Sequence, residues 1–277
     1  MNSNAKLILL FFLSALLFLS IRVEADFLDY YPNIKPLNDY AYNFKNYFKQ
    51  VKKNIFIVRE RNIFKSPEEI LKYTQKNYIN IAIIPLKTLR KLDINNNLIP
   101  LINKAFQIKN NSLSYSELIP LRLELNKYGI FIFNILPGSR YFLFTSFKSL
   151  KKDKLSIAVL NDYFLKKFKK LFPNSLYFGG DAADINRFVK SGIFNSVVMS
   201  SVDYSISNVS FKYAYNFGLE REKYCIIANL NYWNKQSETV KNIIWSFISK
   251  YDKIFLLDIK RFQDKVLNKL KVKNLLW

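Results

Sequence analysis

Residues 127–161 read KYGIFIFNILPGSRYFLFTSFKSLKKDKLSIAVLN, and how this stretch is divided decides the fold. GIFIFNILPG has the apolar density of a buried strand that runs to a Pro-Gly turn, and YFLFTS is the next extended piece. KLSIAVLN supplies a further strand from Leu155 to Leu160. NDYFLKKFKKLF follows and sets Phe164, Leu165, Phe168, Leu171 and Phe172 on one helical face with lysines on the other. That lysine group is a solvated face.

Working outward, the same alternation recurs on both sides. Upstream, Leu37, Tyr40, Phe44, Tyr47, Phe48 and Val51 fall at helical intervals, and NIFIVRE is a short strand. SPEEILKYTQK opens with Ser66 as a cap, Pro67 at the first helical position and two acids in the first turn, and it leads to a buried strand ending at Pro85. SYSELIPLRLELNK is a helix that carries Pro120. Downstream, LYFG is a short strand, DAADINRFVKSG a helix opened by Asp181 or Asp184, and IFNSVVMSS a buried strand. YCIIANL is another strand, Ser237 to Ser249 an amphipathic helix, and a further helix starts near Asp252. Strand-helix-strand order of this kind implies an α/β protein with parallel units covered on both faces.

Residues 1–25 have a polar start with Lys6, an uncharged run from Leu7 to Ile21, and Val23 and Ala25 spaced for a small-residue cleavage site, which reads as a secretory signal peptide. The run is shorter than the roughly 20 residues that span a bilayer. The chain has 43 Lys plus Arg against 21 Asp plus Glu, a net charge of +22. The lysines are dispersed among asparagines and isoleucines, no nucleic-acid module accompanies them, and nucleic acid is not an expected partner. With no histidine, the Ser-His-Asp and Cys-His triads and the usual zinc sites are excluded. Cys225 cannot form an internal disulfide and reads as a small buried hydrophobe. No catalytic motif, metal set or cofactor motif is present, although a serine-lysine hydrolase built on Ser139 stays open as a rival.

Four segments together are similar to one known family. NIAIIPLKTL, the quoted stretch through its Gly-x-Arg, FVKSGIFNS, and YCIIANLNYWNKQSETVKNII resemble, in order and spacing, the solute-binding proteins of tripartite ATP-independent periplasmic (TRAP) transporters, the DctP-like family. The resemblance covers Asn80 to Lys250. It implies a two-lobed periplasmic-binding-protein-like fold with a ligand cleft between lobes joined by crossing strands, and a hinge motion that closes them on solute. On that reading residues 26–137 form lobe one with 224–250 returning to it, and 138–223 form lobe two with 251–277 packing on it. The implied function is capture of a small, anionic organic solute, a carboxylate for instance, and delivery to the membrane subunits of a TRAP transporter in a bacterial periplasm. No reaction is catalysed.

The resemblance also implies a site. Arg140, in the Gly-x-Arg, is expected in the cleft, where its planar fork suits a carboxylate. Asn161, Asp181, Asp184, Met199 and Ser200 are expected to line an altered wall. The sequence departs from the family at its main carboxylate-binding arginine, replaced by Ala158, at the proline replaced by Leu160, and at the asparagine replaced by Met199. Either the cleft is rebuilt for another solute, or the chain is an envelope scaffold that has lost solute binding. A cleft filled by its own side chains around Ala158 and Met199 would mark the scaffold.

Overall fold

The computed structural model describes residues 26–51, 56–58, 66–92, 97–107, 115–151, 154–179 and 182–274. The expected leader, Asp181 and parts of the NIFIVRE segment lie outside the described residues.

The first lobe is built on strands β1 (Asp26–Tyr30), β2 (Phe56–Val58) and β3 (Ile81–Pro85), which are parallel, with β1 between the other two. Helix α1 (Lys35–Val51) packs Leu37, Tyr40, Phe44 and Phe48 into the core at the spacing of one helical face. Helix α2 (Pro67–Gln75) starts as its sequence requires, with the Glu69 amide donating to the Ser66 hydroxyl at 3.3 Å. A 3-10 segment follows β3 over Leu86–Leu92, then α3 (Leu98–Gln107) and α4 (Tyr115–Asn126).

Strand β4 runs without interruption from Ile130 to Thr145. The expected turn at Pro137-Gly138 is instead an irregularity within the strand, where the register against its neighbour shifts between Pro137 and Arg140. The strand opposite is β9 (Arg221–Asn229), antiparallel to both β3 and β4. Gly138 is needed because a Cβ there would meet the Glu222 carbonyl oxygen at 2.6 Å. A second register shift, between Ile132 and Asn134, changes the parity of the strand. Phe131 and Phe133 face one core and Ile130 and Ile132 the other, whereas beyond the bulge Ile135 joins Ile132 and Leu136 joins Phe133.

Past Arg140 the same strand enters the second lobe. Residues 141–145 of β4 pair antiparallel with β7 (Ser196–Ser200), and residues 143–145 pair with β8 (Tyr213–Asn216). Strand β7 is parallel to β5 (Ile157–Val159), and β5 to β6 (Ser175–Tyr177). Helices α5 (Leu165–Leu171), α6 (Ile185–Lys190) and α7 (Ser201–Ile206) connect them. Helix α6 carries Asp184 at its N-cap, without a side-chain capping bond. Apolar side chains cover both faces, Phe142 and Phe144 on one and Tyr141 and Leu143 on the other.

After α8 (Leu230–Lys235) comes α9, a single helix from Glu238 to Leu267 where two were expected. The stretch SKYDK has neither glycine nor proline to stop it. Its buried residues Phe247, Phe255 and Ile259 belong to the first-lobe core, while Leu267 belongs to the second. Residues 251–267 therefore span both lobes and do not pack on lobe two alone. The tail ends in β10 (Lys271–Asn274), parallel to β8. The result is a two-lobed α/β molecule crossed by β4, β9 and α9.

Candidate ligand cleft

Strands β3, β5 and β7 end at a common place between the lobes, the position where open α/β sheets bind ligands. A cavity of about 840 Å³ lies there. Its first-lobe wall includes the 3-10 segment after β3, whose sequence LKTLRKL matches a three-residue turn. Leu86, Leu89 and Leu92 recur every third residue and are buried, which leaves Lys87, Thr88, Arg90 and Lys91 to line the cavity.

Two of those cations reach across to the second lobe. The Arg90 guanidinium is only 12 % exposed and pairs through Nη1 with Asp162, in the turn after β5, while Nη2 donates to Asn103 Oδ1 of α3. Burial lowers its pKa, and the nearby Tyr177, Tyr141 and Glu222 oppose that. Lys87 Nζ lies 3.3 Å from Asp203 Oδ2 of α7 and 3.6 Å from Glu222 Oε2 of β9. Glu222 is 2 % exposed, and its burial raises the carboxyl pKa while Lys87 opposes the rise. The Tyr141 hydroxyl donates to Glu222, and Asn161 Nδ2 donates to that hydroxyl at 3.2 Å. Two donors in this wall have no partner among the described residues: Arg90 Nε, and the hydroxyl of Thr88, a residue 3 % exposed.

The expected site residues separate into groups. Asn161 and Asp184 line the cavity; Asn161 is also buried, and its Oδ1 accepts from the Tyr163 amide at 3.1 Å to cap the turn that carries Asp162. Ser200 is fully buried and caps α7, accepting from the Asp203 amide at 3.0 Å, so it positions a lining residue without being one. Met199 is buried in the second-lobe core with Phe142 and Phe144, and Ala158 is in the same core. Asp181 lies outside the described residues. Arg140 is not in the described cavity wall: it is exposed, its amide donates to Gln263 Oε1 of α9 at 2.7 Å, and its cross-strand partner is Arg221. The continuous course of β4 carries it beside α9, whereas a turn at Pro137-Gly138 would have freed it. Sequence reasoning missed Lys87, Thr88 and Arg90, although the repeat LKTLRKL signals one buried edge and one polar one.

Among the described residues no group of three or more acidic or cysteine side chains is placed to hold a metal ion. The Cys225 thiol is buried, its pKa is raised by that burial, and it donates weakly to the Ile84 carbonyl at 3.5 Å. No described helix is long and apolar enough to cross a membrane.

The fold is that of two-lobed periplasmic binding proteins, and solved structures similar to this chain include TRAP solute-binding proteins. One is a Bordetella pertussis extracytoplasmic solute receptor binding pyroglutamic acid, 13 % identical, with a TM-score of 0.72 over 91 % of this chain and 88 % of its own. Another is a Pseudomonas aeruginosa protein with bound L-malate, 12 % identical, TM-score 0.70, covering 91 % of this chain and 93 % of that one. A third, from Haemophilus influenzae with bound L-gulonate, is 14 % identical, TM-score 0.69, covering 90 % and 87 %. No family model matches the sequence, and no curated protein matches it.

Proposed function

We propose that this protein is an extracytoplasmic solute receptor of a TRAP-type transporter, which captures a small organic acid between its lobes and delivers it to membrane subunits in the periplasm. The observation that carries this reading is the cavity of about 840 Å³ between the lobes, whose wall includes Arg90 and Thr88, two residues with a buried donor, Arg90 Nε and the Thr88 hydroxyl, that has no partner among the described residues. Buried donors are seldom left without an acceptor, and a guanidinium beside a hydroxyl suits a carboxylate. Arg90 thus takes the role that Ala158 cannot, from the other lobe. The neighbours bound to pyroglutamate, malate and gulonate support an acid as the solute. The open cavity speaks against the scaffold reading, which expected a cleft filled by side chains around Ala158 and Met199. Ser139, on which the hydrolase reading rested, is fully buried outside the described wall, and its hydroxyl accepts from the Val202 amide at 3.1 Å, which gives that reading no support.

The test is a thermal-shift and calorimetric screen of residues 26–277 against organic acids, with Arg90→Gln and Arg140→Ala beside the parent. A bound acid raises the melting temperature by mass action. Arg90→Gln is expected to weaken binding by about 10- to 100-fold, in line with loss of a charge-assisted bond, and Arg140→Ala to leave it unchanged. A broad panel that shifts nothing, or loss of binding only in Arg140→Ala, would sink the assignment.

A further inference from the structure

The donors that suit a carboxylate stand next to a carboxylate already in place. Arg90 holds Asp162 through Nη1 and Asn103 through Nη2, while its Nε is buried and has no partner among the described residues. A solute carboxylate on Nε and Asp162 on Nη1 would share one guanidinium, on the order of 5 Å apart, where like charges disfavour each other. Lys87 offers little relief, because Asp203 and Glu222 already surround it. Glu68 and Asp184, both exposed carboxylates, line the same cavity. Among the described lining residues acids outnumber cations, although the whole chain has 43 cations to 21 acids. A plain monoanion or dianion would deepen that local negative excess.

We infer that the solute is a zwitterion with a cationic nitrogen close to its carboxylate, such as an α-amino acid. Its carboxylate accepts from Arg90 Nε and the Thr88 hydroxyl, and its ammonium sits on Asp162. The side chain of Asp162 is 45 % exposed, so it keeps acceptor sites beyond the one that holds Arg90. Guanidinium, solute carboxylate, solute ammonium and Asp162 then alternate in sign, and every charge has an opposite neighbour. This inference rests on the receptor reading given above and narrows its ligand class.

The test is calorimetric titration with pairs that differ only in the amino group: L-glutamate against glutarate, L-aspartate against succinate, and L-alanine against propionate. The parent is expected to bind the amino acid of at least one pair about tenfold or more tighter than its deaminated partner, the equivalent of one well-placed ionic contact. Asp162→Asn should erase or invert that preference, Asp162→Glu should keep it, and each variant's melting temperature checks that it is folded. A parent that binds the deaminated member as tightly or more tightly, or an Asp162→Asn variant that loses affinity for both members alike, would overturn the inference and leave the receptor intact. Binding of neither class by a folded parent would sink the receptor reading and this inference with it.

Discussion

At the scale of single residues, Gly138 and Arg140 show how backbone context overrides side-chain chemistry. Arg140 has the chemistry of a carboxylate clamp, yet the strand that carries it passes straight on and leaves it exposed beside α9. Gly138, which has no side chain, is the residue the crossing depends on. A Cβ there would stand 2.6 Å from the Glu222 carbonyl oxygen, and that backbone belongs to the paired strand and cannot swing aside. Gly138→Ala should therefore lower stability by roughly 1–3 kcal/mol, the range for overpacking, measured by chemical denaturation. A variant as stable as the parent would mean that β4 and β9 separate there at little cost. Arg140→Ala, by contrast, should be nearly silent in the same experiment, as exposed substitutions usually are.

At the scale of elements, α9 is tied to the crossing strand by a partly buried polar knot. Asp252 accepts from the Tyr40 hydroxyl of α1 at 3.0 Å and from Asn134 Nδ2 at the first irregularity of β4. Burial pushes the Asp252 carboxyl up to about 7, against the pull of those two donors. In the unfolded chain it ionises near about 3.9. Between those values the folded state holds a proton that the unfolded state has released. The group's contribution to stability is thus complete below about pH 4 and is lost as pH rises through 7, at about 1.4 kcal/mol per unit at most. Asp252→Asn removes the dependence, so its melting temperature relative to the parent should climb from about pH 5 to pH 8. A difference that stays constant with pH would contradict a protonated Asp252.

Most elements were legible in the sequence because each carries its own signal, such as the Ser66-Pro67 start of α2 or the apolar density of β3 and β9. The joins were not. Whether Pro137-Gly138 turns or bulges depends on Glu222, 84 positions downstream of Gly138. Whether the last helix breaks depends on a core that accepts Phe255 and Ile259 from one lobe and Leu267 from the other. The cleft was legible only in part for the same reason: Arg90 has meaning beside Asp162, and no local pattern brings them together.

At the scale of the molecule, the lobes meet through contacts unequal in strength. Lys87, Asp203 and Glu222 are mostly buried, whereas Asp162 is nearly half exposed, and the Phe106 and Tyr163 rings stack across the gap with centroids 5.8 Å apart. Raising ionic strength from about 0.1 M to 1 M shortens the screening length from about 10 Å to about 3 Å. It should loosen Arg90–Asp162 more than the buried Lys87 group. Small-angle scattering of the solute-free parent should show the radius of gyration growing with salt, and Arg90→Gln should start expanded and respond less. Identical, salt-independent curves for both would show that the ion pair has no part in holding the lobes.

The place of β9 has a consequence for how the chain acquires its shape. It fills the gap between β3, which ends at Pro85, and β4, which begins at Ile130, yet it is not made until Arg221–Asn229. Until then the first sheet has two open edges and no centre, and α9, which covers its core, comes later still. Such a long sequence separation slows folding. The second-lobe sheet lacks only β10 once Asn216 has been made, whereas the first lobe cannot close until β9 and most of α9 have left the ribosome, so the half of the chain made first is the half that closes last.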